Sequence, residues 1–256
     1  MSGAALQETV VGDGVVMLRL NRPDVLNALN LELRRSLAEA FTRLDADDAV
    51  RVVVLAGSER AFCAGADLNE YVDATPTEII ARDMGRLWDA IAGCRKPVIS
   101  AIRGHALGGG CELAMHGDII VAGEGARFAQ PEVLIGIMPG GGATQRLTRA
   151  VGKFKAMRML LTGATTTAAQ ALAMGLVSEV VPDDQVEVHA LKIAADIAAL
   201  PSLSIRMIKE AVIASMNTSL TQGLEIERKS FQLLFSTREK TEGIRARLHK
   251  RKAVYR

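Results

Sequence analysis

The sequence predicts an α/β fold with a mainly parallel sheet and a helical C-terminal region. Strand-like and helix-like segments alternate through about residue 125, which is typical of βαβ units, whose connecting helices bring neighbouring strands parallel. The strand-like segments are continuously apolar, which indicates strands that are buried on both faces. After Pro139 the pattern becomes largely helical. The change near residue 200 is a shift to helices, because no low-complexity linker interrupts the chain there.

The N-terminal part predicts a hairpin, a helix and a buried strand. Residues 8–11 and 15–20 flank Gly12-Asp13-Gly14, which is a hairpin signal. Asn30 precedes a segment with apolar residues at helical spacing, so we expect it to cap a helix. The core-facing side of that helix consists of Leu33, Leu37, Phe41 and Leu44. Residues 52–56 are predicted to form a buried strand.

The later elements follow from the same patterns. Thr77 is predicted to cap a second helix, whose apolar side consists of Ile80, Met84, Leu87, Trp88 and Ile91. Three further strands are expected at residues 97–102, 119–122 and 176–181. Two more helices are predicted to begin at Asp183 and at Pro201.

The composition is that of an ordinary globular protein. The 256 residues are 49% hydrophobic and 23% charged, with a net charge of +2, so neither nucleic acid nor a membrane is an expected partner. Cys63, Cys94 and Cys111 are too scattered for a disulfide framework, and without a C-x-x-C pair they give little support to a zinc or redox site. Neither a signal-peptide pattern nor an apolar run of about 18 residues is present, so we expect a cytoplasmic enzyme.

A glycine-rich segment follows the strand at residues 97–102. It reads Gly104-His105-Ala106-Leu107-Gly108-Gly109-Gly110-Cys111-Glu112, which matches neither a dinucleotide-binding fingerprint nor a phosphate-binding P-loop. A helix that begins near Gly109 would point its free N–H groups at the same space, where they could stabilise an oxyanion. A binding site and a purely structural turn are equally compatible with these residues.

Two glutamates lie in apolar surroundings, at Cys111-Glu112-Leu113 and Pro131-Glu132-Val133. Taken singly, such a residue is more often a helix cap or half of an ion pair than a catalytic group. Burial raises the pKa of a carboxyl group, as a general acid working near neutral pH requires. If the two side chains share a pocket, one could donate a proton and the other accept one.

Several spaced motifs together carry a resemblance to a known family. They are Ala64-Gly65-Ala66-Asp67-Leu68, Gly108-Gly109-Gly110-Cys111-Glu112, Gln130-Pro131-Glu132, Gly136, and Pro139-Gly140 followed by Thr144-Gln145-Arg146. Further matches at Asn21-Arg22-Pro23, Leu26-Asn27-Ala28, Leu161-Thr162-Gly163 and Gly175-Leu176-Val177 extend the likeness over essentially the whole chain. The sequence resembles the crotonase (enoyl-CoA hydratase/isomerase) superfamily, closest to enoyl-CoA hydratase.

The resemblance implies a fold, an assembly and a ligand. The fold is a spiral of ββα units, with residues 1–200 as the core that holds CoA and the active site, and residues 201–256 as a helical region for trimerisation. A homo-oligomer is expected, either a trimer or a dimer of trimers. The substrate is an acyl-CoA, and no separate cofactor or metal is expected because CoA enters with the substrate.

The resemblance also implies roles for individual residues. The N–H groups of Ala66 and Gly109 would form an oxyanion hole, and Glu112 and Glu132 would be the catalytic carboxyl groups. Residues expected to contact the substrate or its CoA are Leu26, Ala28, Ala64, Ala66, Asp67, Leu68, Asn69 and Gly109. Asn69 stands where many relatives have lysine, and the order Gly141-Gly142-Ala143 replaces the more usual Ala-Gly-Gly. The basic stretch from Arg245 to Arg256 is either a solvated surface or a contact for CoA phosphates.

The implied activity is hydration of the trans-2 double bond of an enoyl-CoA. The alternatives are a Δ3,Δ2-enoyl-CoA isomerase and another acyl-CoA reaction of the same family. Glu112 disfavours a pure isomerase, because family members that only shift a double bond generally lack this carboxylate. RNA binding through the basic C-terminus is a further alternative, which the near-neutral total charge disfavours.

Overall fold

The computed structural model describes residues 4–255, which contain ten strands and eleven α-helices. The strands are β1 (Leu6–Gly12), β2 (Val15–Leu20), β3 (Val52–Ala56), β4 (Ala61–Cys63), β5 (Val98–Ile102), β6 (His105–Leu107), β7 (Ile119–Gly123), β8 (Arg127–Ala129), β9 (Thr166–Thr167) and β10 (Glu179–Val181). The helices are α1 (Leu31–Ala46), α2 (Pro76–Ala81), α3 (Met84–Ala92), α4 (Gly109–Ala114), α5 (Ala143–Val151), α6 (Lys153–Thr162), α7 (Ala168–Met174), α8 (Val186–Ala198), α9 (Ser202–Ser215), α10 (Leu220–Leu234) and α11 (Arg238–Leu248).

The strands form two sheets. The larger sheet has the order β1-β2-β3-β5-β7-β10, and every neighbouring pair in it is parallel except the hairpin β1-β2. The smaller sheet has the order β4-β6-β8-β9, with only the β8-β9 pair antiparallel. The chain passes from the larger to the smaller sheet three times, at β3-β4, β5-β6 and β7-β8. This repetition confirms the predicted spiral of ββα units.

Strand β3 explains why the central strands are apolar throughout. Its side chains alternate between two buried clusters, one that lies between the sheets and contains Val53 and Leu55, and one beneath α8 that contains Val52 and Val54. Both faces of the sheet are therefore covered, as in other parallel sheets. Complete burial of a valine or leucine side chain contributes about 1.5–3 kcal/mol, so burial on both faces stabilises the central strands.

The predicted cap of α1 is confirmed, whereas the predicted cap of the next helix is wrong. Asn30 accepts a hydrogen bond from the Leu33 N–H. The cap of α2 is Thr75, two residues earlier than predicted, because its hydroxyl and the Glu78 carboxylate bond each other's backbone N–H groups. The predicted single helix is also two helices, since Asp83 adopts a left-handed backbone conformation with φ of 46°.

The predicted strands at 97–102 and 119–122 correspond to β5 and β7, and the short strand expected at 176–181 is present as the three residues of β10. A 3-10 turn at Asp183–Gln185 leads into α8, and Pro201 immediately precedes α9.

No single helix in residues 4–255 has the length and hydropathy needed to cross a membrane. One pair, Asp183–Ala198 with Ser202–Ser215, meets these criteria only in combination, across a bend of 112°.

Candidate active site

The three glycines before Glu112 let helix α4 begin very close to its neighbours. Gly108 has φ of 49°, and a Cβ atom there would lie 2.7 Å from Oε1 of Glu132. A Cβ atom on Gly110 would lie 2.0 Å from the carbonyl oxygen of Cys63 in β4. Only glycine avoids these overlaps, so the cluster has a packing role as well as any catalytic one.

The loop after β4 meets the start of α4. A Cβ atom on Gly65 would lie 3.6 Å from the Gly109 nitrogen, and one on Gly109 would lie 3.7 Å from the Ala66 nitrogen. Within residues 4–255, neither the Ala66 nor the Gly109 N–H donates a hydrogen bond. Two free backbone donors therefore border one space, which is the arrangement that stabilises a developing oxyanion.

A neighbouring segment holds this loop in place. The Ala64 N–H donates to the Leu26 carbonyl over 3.0 Å, and the Leu29 N–H donates to the Gly65 carbonyl over 2.7 Å. Asn27 is completely buried, and its side-chain amide donates to the carbonyl oxygens of Ala61 and Phe62. Asn27 lies in a motif quoted above but is absent from the predicted site residues; its role is to position the loop.

The structure ties Asp67 to neighbouring side chains. Its carboxylate lies 3.2 Å from the Arg22 guanidinium and accepts a hydrogen bond from the Asn69 amide over 3.0 Å. Partial burial raises the pKa of Asp67, but these hydrogen bonds outweigh it and hold the pKa below its usual value. Leu68 is exposed beside them. The predicted CoA contacts of Leu26, Ala28, Ala64 and residues 66–69 stay predictions.

Glu112 is buried and firmly held. Its Oε1 atom accepts hydrogen bonds from the backbone N–H groups of Gly141 (2.7 Å) and Ala143 (3.0 Å). Burial raises the pKa of this carboxyl group, while those N–H donors and the positive charge of Arg34 act in the opposite direction. The glycine-rich segment of residues 140–142, which precedes α5, therefore helps to orient Glu112.

Glu132 lies on the 3-10 helix Pro131–Ile135 and is also buried. Burial raises its pKa to about 7, and the negative charge of Glu112 contributes to the increase. Gln130 can orient its side-chain amide so that its nitrogen donates to Oε2 and Oε1 of Glu132 over 3.2 and 3.3 Å. The structure thus brings together two carboxyl groups with raised pKa values, as the sequence suggested.

Trp88 explains the unusual glycine at position 141. A Cβ atom on Gly141 would lie 2.6 Å from Cε2 of Trp88 and 2.8 Å from Oε2 of Glu112.

The indole of Trp88 also stacks on His116, with ring centroids 4.9 Å apart. Burial lowers the pKa of His116 to about 4, and its Nδ1 atom bonds the Glu112 carbonyl. His116 is therefore a neutral packing residue at neutral pH.

The predicted site residues do not include Arg34. This residue of α1 is 7% exposed, and its guanidinium carbon lies 5.2 Å from the centre of the Trp88 ring. Its Nη2 atom lies 3.5 Å from the Cβ position of Gly109. The signal in the sequence is a charged residue one position after Leu33, beside the apolar stripe of the helix.

Residues 249–255, which follow α11, fold back onto this helix. Arg251 forms an ion pair with Glu242 over 2.6 Å, and the Val254 N–H donates to the same carboxylate over 3.0 Å. Arg256 lies outside the described residues.

In the described part of the chain, no three His, Cys, Asp or Glu side chains are placed to hold a metal ion.

Comparison with known proteins identifies the family. The profile of the enoyl-CoA hydratase/isomerase family matches residues 11–256. A probable enoyl-CoA hydratase from Rhizobium meliloti is 48% identical over 94% of both chains. The chain belongs to the enoyl-CoA hydratase/isomerase family.

Other members of the family agree with this assignment. The mitochondrial enoyl-CoA hydratase of Pongo abelii is 44% identical over 94% of this chain and 83% of its own. The crystal structure of an enoyl-CoA hydratase from Bacillus anthracis superposes with a TM-score of 0.94 at 34% identity, over 98% of both chains. The fold described above is therefore the fold of the family, including its C-terminal helices.

Proposed function

We propose that this member of the family is a lyase that adds water across the trans-2 double bond of an enoyl-CoA and releases a 3-hydroxyacyl-CoA. One observation carries the proposal, namely two buried glutamates beside two backbone N–H groups that have no partner in residues 4–255. The relatives named above as enoyl-CoA hydratases support it.

The two free N–H groups supply the electrophilic half of the reaction. The thioester oxygen lies between Ala66 and Gly109 and accepts a hydrogen bond from each. As negative charge moves onto this oxygen, the β-carbon becomes electrophilic and the two donors bind more strongly. Removal of one such donor typically costs about 3 kcal/mol of transition-state stabilisation.

The two carboxyl groups supply the proton transfers. Glu112, oriented by the N–H groups of Gly141 and Ala143, accepts a proton from a water molecule whose oxygen bonds to the β-carbon. The electron pair of the double bond then takes the proton of Glu132 at the α-carbon. The substrate gains one water in total, and proton exchange with solvent restores both carboxyl groups. A pKa of about 7 keeps a large share of Glu132 protonated at neutral pH.

The isomerase alternative uses the same pocket but needs no water. Shifting a double bond requires one group to move a proton between two carbons, and Glu132 would suffice for that. The two backbone N–H groups that orient Glu112 would then have no catalytic purpose. The geometry therefore favours hydration.

The proposed hydratase is a homo-oligomer, a trimer or a dimer of trimers. Many large apolar side chains of the C-terminal helices are exposed in the single chain; they include Ile208, Val212, Met216, Leu220, Phe231, Leu233 and Phe235. An apolar surface of this extent is typical of a protein–protein interface. The CoA moiety would lie along residues 26–28 and 64–69, with the loop after β4 in contact with it.

The test is loss of the ultraviolet absorbance of crotonyl-CoA on mixing with the purified protein. Glu112→Gln and Glu132→Gln keep the side-chain volume but remove the acid–base function, so each should lower kcat by about a hundredfold to ten-thousandfold. Glu124→Gln, at an exposed glutamate, is the matched control and should behave like the wild type. Near-normal turnover in either catalytic variant would overturn the assignment.

A further inference from the structure

The Arg34 guanidinium is buried without a hydrogen-bond or ion-pair partner. The residue is 7% exposed, its side chain makes no hydrogen bond or ion pair with a group in residues 4–255, and its Nε atom has neither a partner nor solvent contact. Arg82 and Arg103 also have one unsatisfied nitrogen, but Arg82 donates to the Glu70 carbonyl and Arg103 pairs with Glu59. Burial of an unpaired charge is strongly unfavourable, so a guanidinium in this state is suited to a partner that comes from outside the chain.

The guanidinium faces the reaction pocket. Its Nη2 atom is 3.5 Å from the Cβ position of Gly109, whose free N–H borders the proposed oxyanion hole. One face of the Trp88 ring lies against it, and its positive charge acts on Glu112. A small cavity beside the guanidinium and the Trp88 ring is lined by the apolar side chains of Leu29, Leu37, Leu87 and Ile91.

We propose that Arg34 binds a carboxylate carried by the acyl chain, so that the preferred substrates are enoyl-CoA thioesters of dicarboxylic acids. The inference rests on the proposed hydratase function and specifies its substrate class. A planar guanidinium binds a carboxylate through two parallel hydrogen bonds.

The carboxylates near the pocket do not pair with Arg34. Oε1 of Glu112 accepts hydrogen bonds from Gly141 and Ala143, and neither Glu112 nor Glu132 forms an ion pair with the guanidinium. The thioester oxygen is assigned to the N–H groups of Ala66 and Gly109. The proposed CoA contacts lie on the loop of residues 64–69 and on residues 26–28, whereas the Arg34 side chain projects from α1 toward Trp88. A carboxylate on the acyl chain would supply the acceptor that the guanidinium lacks within the described residues.

The experiment compares substrates that differ only in the carboxylate. One pair is crotonyl-CoA and glutaconyl-CoA, and the other is hex-2-enoyl-CoA and 5-carboxypent-2-enoyl-CoA. The value of kcat/KM is measured for both members of each pair with the wild type, Arg34→Met, Arg34→Lys and Arg35→Met. Arg35 is the matched control, because it is the next residue of α1 and is exposed.

We expect the wild type to favour the carboxylated member of at least one pair. Arg34→Met should lower that preference by about 10- to 100-fold, since a hydrogen bond to a charged group is lost. Arg34→Lys should retain part of the preference, and Arg35→Met should retain all of it. The ratio is measured within one preparation, so partial misfolding of a variant lowers both rates equally and leaves the ratio unaffected.

Two results would overturn the proposal and are distinguishable. If the wild type hydrates the neutral substrates and Arg34→Met leaves the substrate ratio unchanged, the carboxylate proposal fails while the hydratase function stands. Equal slowing of both members of a pair would also overturn the carboxylate proposal, because it would indicate that Arg34 acts only on Glu112. If the wild type hydrates none of the four thioesters, the hydratase function itself fails.

Discussion

At the scale of single residues, the two glutamates differ in what surrounds their carboxyl groups. Glu112 accepts two hydrogen bonds from backbone N–H groups, which favour its ionised form. Glu132 has a pKa of about 7, raised by burial and by the charge of Glu112. In the proposed reaction, these environments favour Glu112 as the base and Glu132 as the acid.

This assignment predicts a bell-shaped dependence of kcat/KM on pH. Above pH about 7 the activity should fall, approaching tenfold for each further pH unit, because the proton of Glu132 is lost. At low pH the activity should fall again as Glu112 becomes protonated. Steady-state rates with crotonyl-CoA across a series of buffers test both limbs. A rate that keeps rising above pH 7 would contradict a protonated Glu132.

The same pKa predicts that Glu132 destabilises the folded protein at high pH. Its folded pKa of about 7 exceeds the ordinary value of 4.5 for a glutamate, so the unfolded chain binds fewer protons between these values and stability falls as pH rises through this window. Glu132→Gln should remove the penalty, which corresponds to about 1–3 kcal/mol at pH 8. Thermal unfolding should show a higher melting temperature for the variant at pH 8, and most of the difference should disappear by pH 4.5. An unchanged difference across this range would contradict the raised pKa.

At the scale of secondary-structure elements, the catalytic geometry depends on how closely α4 approaches its neighbours. The Gly108 N–H donates to the Ala129 carbonyl at the end of β8 over 2.9 Å, which ties the start of the helix to the smaller sheet. Gly110 packs directly against the Cys63 carbonyl at the end of β4. This contact fixes the distance between the Ala66 and Gly109 donors.

A methyl group at Gly110 should therefore disturb both the fold and the catalysis. Gly110→Ala places Cβ 2.0 Å from a backbone oxygen, so α4 must shift, and we expect a loss of about 1–3 kcal/mol of stability together with a lower kcat. The matched control is Gly85→Ala in α3, where no atom lies within 4 Å of the added Cβ. That variant should keep full activity and gain up to about 1 kcal/mol. Urea unfolding and crotonyl-CoA turnover measure both effects, and equal behaviour of the two variants would contradict this account.

At the scale of the whole molecule, the C-terminal helices leave a large apolar surface exposed. Helices α9 and α10 contain no buried residues in the single chain. Phe231 and Phe235 contact each other edge to face, with ring centroids 5.0 Å apart, but both are more than half exposed. Such a surface is stable in water when another subunit covers it.

We therefore expect Phe231→Glu to weaken the assembly. A buried unpaired carboxylate at a subunit interface is strongly unfavourable, so light scattering after size exclusion should show a lower mass for the variant than for the wild type. Lys229→Glu is the control, because it lies two positions earlier and on the opposite face of α10. If Phe231→Glu keeps the wild-type mass, this face is not the interface.

Local patterns in the sequence determined much of the fold. Strand β3 and the Asn30 cap were predicted correctly, because burial on both faces and a capped apolar stripe leave marks that are local in the chain. The break between α2 and α3 was not predicted, since the apolar spacing continues through Asp83 although the backbone does not. The spaced motifs were sufficient to predict the family and to select Glu112 and Glu132.

Only the tertiary structure decided which groups surround the residues of the candidate site. The Ala66 and Gly109 N–H groups are distant in the chain, and their approach depends on the contact of α4 with β4 rather than on any local pattern. Likewise, the sequence predicted a helix around Arg34 but could not reveal that its guanidinium lies beside Trp88 without a hydrogen bond or ion pair in residues 4–255. The spacing of apolar residues indicates which side of an element is buried. The partners of a buried charge, in contrast, come from other elements and are decided by the tertiary structure.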